Sequence, residues 1–182
     1  AVFVGVIHRL DRPTSGVVLF ARTTKALARM NEAFRERAVR KTYWAAVSQP
    51  PPGPEGTLVH YMVRDAEKNK SFAYDQPRHG ALRASLSYRL IASSQRYHLL
   101  EIGLDTGRHH QIRSQLQVIG CPVKGDLKYG ARRSNPGGGI HLHARSLALA
   151  HPVGGQPITI VAPPPADPVW DALVAALESG TA

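Results

Sequence analysis

Cysteine is almost absent from this sequence: Cys121 stands alone among 182 residues. A single thiol forms no internal disulfide and no cysteine-based zinc cage, which suits a reducing compartment, so a cytoplasmic protein is expected. Long apolar runs are missing too. The opening AVFVGVI lacks a basic segment before it and a small-residue cleavage site after it, and nothing approaches the ~20 apolar residues of a membrane span. Neither export nor membrane insertion is expected. Acidic residues are scarce, 13 against 23 Lys and Arg. All 23 bases but only ten of the acids fall within residues 1–145, which gives that part +13 and the remainder −3. Cations gathered in one part of a chain are the footprint of a protein that meets a polyanion, RNA or DNA. The rival, attraction to anionic lipid, would need a basic amphipathic helix with a bulky apolar face, and none is present.

What is present reads as one domain over residues 1–182, large enough to bury roughly two thirds of its unfolded surface. It begins at Ala1 without Met and almost at once enters a charged loop, so the domain is expected to be shortened at its N-terminus. Residues 2–7 and 17–21 read as short buried strands, and 24–37 as a helix with Leu27, Met30 and Phe34 at helical spacing. Residues 40–48 read as a strand, the Pro- and Gly-rich 49–56 as a loop, and 57–63 as an edge strand. Leu82, Ala84, Leu86, Tyr88 and Leu90 alternate with polar residues, and RYHLLEIGL (96–104) returns after a short turn, which predicts a hairpin. A second helix is expected over 108–119, with Ile112, Leu116 and Ile119 on one face. SNPGGG (134–139) reads as a mobile loop, 141–150 and 157–161 as strands, and 167–178 as a last amphipathic helix. Hairpin-linked strands interrupted by helices predict an α+β fold with a mainly antiparallel sheet.

Among the chemical constellations, His109 and His110 stand four and three positions before Arg113 and share its face of the second helix, away from Ile112 and Leu116. A cationic face at a helix N-terminus can meet an anion or a base edge. For this helix alone, a solvated face with Arg113 in a surface ion pair is the preferred reading. His109, His110, His141 and His143 invite a metal, but no HExxH or cysteine-containing pattern accompanies them, and hydrogen-bonding roles are expected for His141 and His143. Ser15 lacks the G-x-S-x-G elbow, and no Walker loop is present.

Four segments, HRLDRPTSG (8–16), RKTYWAAV (40–47), GRHHQIRSQLQVIGCPVKGDLKYG (107–130) and LHARSLALAHP (142–152), resemble in order and spacing the RluA-type family of RNA pseudouridine synthases. The resemblance runs from about Val4 to about Pro165. It implies the pseudouridine synthase fold, a mixed, mainly antiparallel sheet flanked by helices and loops with a catalytic cleft across it. It also implies isomerisation of specific uridines in ribosomal or transfer RNA, with no cofactor and no metal.

In that family the Asp of H-R-L-D is the essential carboxylate, here Asp11, and the arginine ending H-Q-I-R is its ion-pair partner, here Arg113. A carboxylate acting as nucleophile or base works in its charged form, which a neighbouring Arg favours. Without the four motifs, Asp11 reads as a turn residue held by local amides. Tyr43 matches the tyrosine of K-x-Y and would stack on the uracil; by pattern alone it is equally a core aromatic of a strand. A uridine in folded RNA must leave its stack to be modified, and Arg9 is expected to fill the vacated stack or grip a phosphate. Arg12, Arg108, His109, His110 and Gln111 are expected to contact RNA. Gly125 and Gly130 suit tight backbone positions, and Asp126 reads as a cap or loop anchor rather than a chemical group. Family members carry a further strand with a Lys-Pro pair before H-R-L-D, and many add a small RNA-binding module. Neither is in this sequence, so RNA selection is expected to rest on the domain's own basic surface, acting as a monomer. A non-catalytic RNA-binding protein of the same fold is the alternative, and a glycosylase that releases free uracil is a second.

Overall fold

In the computed structural model, which describes residues 2–180, the chain starts with three short strands, β1 (Gly5–Val6), β2 (Ser15–Gly16) and β3 (Phe20–Ala21), followed by helix α1 (Thr24–Arg35). Thr23 caps α1 by accepting the Ala26 N–H, the bond an N-cap hydroxyl supplies to an otherwise orphaned donor. The sheet proper is built from β4 (Arg40–Val47), β5 (Glu55–Asp65), β6 (Lys70–Tyr74), β7 (Leu82–Ser93) and β8 (His98–Leu104), then, after helix α2 (Gln111–Val118), β9 (Leu142–Ala150) and β10 (Pro157–Val161). Helix α3 (Pro168–Glu178) follows, with Asp167 as its N-cap. The spatial order is β10-β9-β4-β8-β7-β5-β6, every neighbouring pair antiparallel. β2 alone pairs in parallel, with β9.

Alternation along β4 builds two cores. Ala45 and Val47 face α2 and pack with Ile112, Leu116, Leu86, Leu100 and Ile102, while Trp44 and Ala46 face α3 and pack with Trp170, Leu173 and Leu99. A third cluster places Met30 of α1 against Val17, Val39 and Leu147. β9 carries a bulge: Tyr43 opposes Ala144 while Thr42 opposes Ser146, so Arg145 is the extra residue. Its guanidinium lies 4.2 Å from the Trp44 ring centroid and donates to the Ala162 carbonyl at 2.6 Å.

The α+β expectation holds, and the 82–90/96–104 hairpin is β7–β8 with a register shift between Leu90 and Ala92. Several local expectations need correction. Residues 2–7 are not a buried strand: only Gly5 and Val6 pair, with β3, and Val2, Phe3, Val4 and Val6 are exposed. An apolar run becomes a buried strand only where a sheet edge takes it, and this one meets just two residues. The strand expected over 17–21 shrinks to β3, although Val17 is buried. β5 is not an edge, because β6 lies on its outer side. Within the loop expected over 134–139, Asn135 accepts from Lys124 Nζ at 2.6 Å and donates to His141 Nδ1 at 3.0 Å, and nothing in the structure contradicts the expectation for the loop. Among the described residues, no helix is long and apolar enough to cross a membrane.

Candidate active site

Asp11 sits on a turn closed by the Thr14 N–H donating to its carbonyl at 2.8 Å. The loop is clipped to β9 where β10 leaves off: β10 pairs with Ser146–Ala150, and β2 pairs with His143 and Ala144. Gly16 makes this seam possible. Its φ of 122° is one that side chains avoid, and a Cβ there would run into the Ala144 backbone. Beside it, His143 Nε2–H donates to the Ala162 carbonyl at 3.0 Å, so Nδ1 accepts the Ser15 hydroxyl at 2.9 Å. Ile140 N–H completes the clip by donating to the Pro13 carbonyl at 2.9 Å.

Arg113 approaches from α2. Its Nε and Nη2 donate to the two carboxylate oxygens of Asp126 at 2.6 and 2.9 Å, and its guanidinium lies 4.8 Å from the Tyr129 ring centroid. The side chains of Arg113 and Asp126 are only 5% and 1% exposed. Burial alone would lower the arginine's pKa; the Asp126 hydrogen bonds and charge, with that of Asp11, outweigh it and hold the pKa above its usual value. With two sides of the fork fixed, Nη1 reaches Asp11 Oδ2 at 3.4 Å. Asp11, with its side chain 28% exposed, is therefore the looser partner. The expected Asp11–Arg113 pair exists, but Asp126 is the arginine's main partner, not merely a loop anchor.

His110 contributes the second contact to Asp11. The structure starts α2 at Gln111, not 108, because His110 takes a left-handed conformation (φ 53°) as the N-cap residue. Its ring turns inward, away from the solvated face expected of it. Tyr129 Oη accepts the Ser71 N–H at 2.8 Å and so donates its own proton to His110 Nδ1 at 2.9 Å. The neutral ring therefore carries its proton on Nε2, 3.7 Å from Asp11 Oδ2. Burial is the main cause that pushes the His110 pKa down to about 4, against the opposing pull of Asp11. Gly125 and Gly130 flank this corner with φ values of 87° and 95°.

Asp11, His110 and Arg113 line a cavity of about 240 Å³ with Arg9, Thr14 and Tyr43, below the ~300–1,000 Å³ of ordinary small-molecule sites and on the scale of one base. Burial, then the charge of Asp11, pushes the Tyr43 pKa up to about 12, so its hydroxyl stays protonated. The Thr14 hydroxyl is buried without a hydrogen-bond partner. Of the residues expected to contact RNA, Arg9, Arg108, His110 and Gln111 line the cavity, whereas Arg12 is exposed outside it. His109 lines a neighbouring cavity, stacks on His110 and bonds Ser71. Gln111 spends both ends of its amide inside the protein, accepting from Thr106 Oγ1 and Arg108 N–H and donating to the Ser85 carbonyl, so it staples the β8–α2 loop. Among the described residues, no three His, Cys, Asp or Glu gather as a metal site; His141 and His143 use both ring nitrogens in hydrogen bonds.

Comparison with known proteins identifies the family. The chain is 33% identical over 190 residues to tRNA pseudouridine synthase C of Pectobacterium carotovorum, covering 93% of this chain and 48% of that protein. It is 34% identical over 183 residues to ribosomal large subunit pseudouridine synthase D of Xanthomonas campestris, covering 90% and 52%. The chain thus spans about half the length of these relatives. The solved structure of human RNA Pseudouridylate Synthase Domain Containing 4 superposes with a TM-score of 0.75 at 25% identity, covering 96% of this chain and 76% of that one. A family model described as RNA pseudouridylate synthase matches residues 3–118, from the edge of β1 through α2, and the chain belongs to that family.

Proposed function

We propose that this domain isomerises uridines in RNA to pseudouridine, with Asp11 as the essential carboxylate. The observation that carries the reading is the placement of Asp11: a part-exposed carboxylate in a base-sized cavity, beside an arginine whose other donors are fixed by Asp126. The reaction breaks the bond between C1′ and N1 and forms one between C1′ and C5; N1 gains a proton and C5 loses one, so no cofactor is needed to balance it. Asp11 serves either as the nucleophile at the sugar or base, or as the base that removes a sugar proton. Arg113 Nη1 and the His110 Nε2–H orient the carboxylate and offer donors to charge that develops on the released uracil. Tyr43 supplies a ring face to that uracil. With its pKa pushed up to about 12, its hydroxyl stays protonated at neutral pH and can donate a hydrogen bond. Arg9, exposed at the cavity's edge, fills the space the base leaves or holds a phosphate.

One relative is named for transfer RNA and another for ribosomal RNA, so both classes belong in the test. Tritium release from C5-tritiated uridine in transcripts of each is measured for this chain and for Asp11→Ala. Release that disappears in the variant is the expected result. RNA binding without release by either protein would instead favour a non-catalytic RNA-binding role, and free uracil as product would favour a glycosylase.

A further inference from the structure

A cavity larger than the one around Asp11 lies next to it. A groove of about 1,050 Å³ runs from the α1–β4 corner past the β8–α2 loop to β9 and β10, and it shares Phe34, Lys41, Leu104, Gly107 and Arg108 with the Asp11 cavity. The two adjoin across these residues, and the groove is about four times larger. Its lining is cationic: Arg35, Arg37, Arg40, Lys41 and Arg108 against one carboxylate, Asp105, which accepts the Ser85 hydroxyl at 2.7 Å. Arg35 is paired with Glu32, and Arg108 Nε donates to the Arg83 carbonyl. Among the described residues, no hydrogen bond or ion pair engages the side chains of Arg37, Arg40 or Lys41. Burial, followed by the charge of Arg37, lowers the Lys41 pKa, so an anion brought beside this ammonium would relieve it. The β8–α2 loop comes close to this ammonium at a residue without a side chain: a Cβ on Gly107 would lie only 3.2 Å from Lys41 Nζ.

Arg37 supplies an independent observation. It is the residue just past the α1 C-cap, and the helix ends there in a paired closure: Arg37 N–H donates to the Phe34 carbonyl and Ala38 N–H to the Ala33 carbonyl. This closure requires a left-handed residue and is ordinarily filled by glycine. Here an arginine holds φ 60°. A long cationic side chain kept where the backbone favours none points to a use for that side chain.

We propose that this groove holds the phosphodiester backbone of the RNA strand adjoining the nucleotide whose base enters the Asp11 cavity, with Arg37, Arg40 and Lys41 contacting phosphates. The inference rests on the synthase reading for the identity of that nucleotide. The strand lies along the groove, and only one base turns into the smaller cavity. Phosphate contacts position the strand and carry no sequence information, which suits a surface made of flexible cations around an open channel.

Arg37→Gly separates the backbone role of this residue from its side-chain role. Binding of a fluorescein-labelled single-stranded RNA to the full chain is followed by anisotropy across a salt series, together with thermal melts. The expected result is a Tm equal to or above that of the parent, weaker binding, and a salt slope shallower by about 0.7 for one lost phosphate contact to a single strand. Lys41→Met, which keeps the length of the stem, should reduce the slope by a similar step. Arg96→Gly, in the turn at the opposite end of β8 from Leu104, removes the same charge and should leave the slope unchanged. Parental affinity and slope in both Arg37→Gly and Lys41→Met, or an equal loss in Arg96→Gly, would overturn the proposal. Tritium release by the parent, measured alongside, keeps the two readings apart. Release with unchanged slopes leaves the synthase reading standing and the groove wrong, while shallower slopes without release leave the groove as an RNA site and the synthase reading wrong.

Discussion

Each face of the sheet carries a carboxylate beside a histidine and an aromatic ring, and the two arrangements differ in how tightly the carboxylate is held. On the α3 face, Asp167 Oδ1 lies 2.8 Å from His141 Nε2 and also accepts the Val169 and Trp170 N–H groups at the start of the helix. His141 packs on Trp170 and accepts from Asn135 at its other nitrogen. On the α2 face, Asp11 has contacts of 3.4 Å to Arg113 and 3.7 Å to His110, and a cavity in front of it. The groups behind it are tightly bound: Arg113 to Asp126, and His110 to Tyr129. A carboxylate held by short bonds to a ring and a helix start is a fastener. One whose neighbours are fixed while its own contacts stay long can react.

The largest test of this contrast lies behind Asp11. Asp126→Ala leaves the Arg113 charge buried with only the long Asp11 contact, which should cost about 3–5 kcal/mol and lower the Tm by roughly 6–20 °C; tritium release should fall with it. A thermal melt matching the parent would mean that Asp126 does not hold Arg113 in place. Next in size, Asp167→Ala removes a helix cap and the acceptor of His141, at about 1–2 kcal/mol, while release per folded molecule stays at the parental level. Asp11→Ala should show the opposite signature in the same two assays, a Tm near the parent and no release. If Asp167→Ala abolished release, the two faces would not differ in the way described.

The smallest effect concerns pH. Burial lowers the pKa of His110 to about 4, and those of His8, His60, His109, His141 and His143 also fall below the usual value. In each case the unfolded chain takes up a proton, near pH 6.5, before the folded chain does. The stability from keeping these rings neutral is thus fully present above pH 6.5 and is lost as the pH falls from there toward 4. Melting temperatures across that window should decline, and His110→Gln should make the decline shallower. The same slope in the variant would show that His110 does not set this dependence.

Much of this architecture is legible locally. The β7–β8 hairpin and α3 follow from alternation and helical spacing, because each signal lies within one segment and the tertiary contacts reinforce it. Asp11 could be picked out only through the four motifs, since nothing in its own loop distinguishes a reacting carboxylate from a turn residue. The role of Asp126 depends on a partner 13 residues away across a loop, and that of His110 on a left-handed turn that local periodicity reads as one more helical residue. β6 gives little signal of its own. It is five residues long, and its place is set by β5 alongside and by His109 and the α2 residue Ser114, which bond Ser71.

The bulge at Arg145 imposes an arithmetic on β9. Side chains on a strand alternate with a period of two, yet Leu142 and Ala144 share a face with Leu147 and Leu149, because their partners across the ladder are Ala45, Tyr43, Lys41 and Ile158. Even numbers become odd at one residue. Arg145 is the half-period inserted to keep both ends of the strand in phase, so that one end roofs the α2 core and the other floors α1. Losing that single residue would turn Leu147 and Leu149 to the opposite face, whereas a change of two residues would preserve parity. The length of this strand is therefore quantised: across related sequences, insertions and deletions between Leu142 and Ala150 should come in even steps, or bring a second bulge with them.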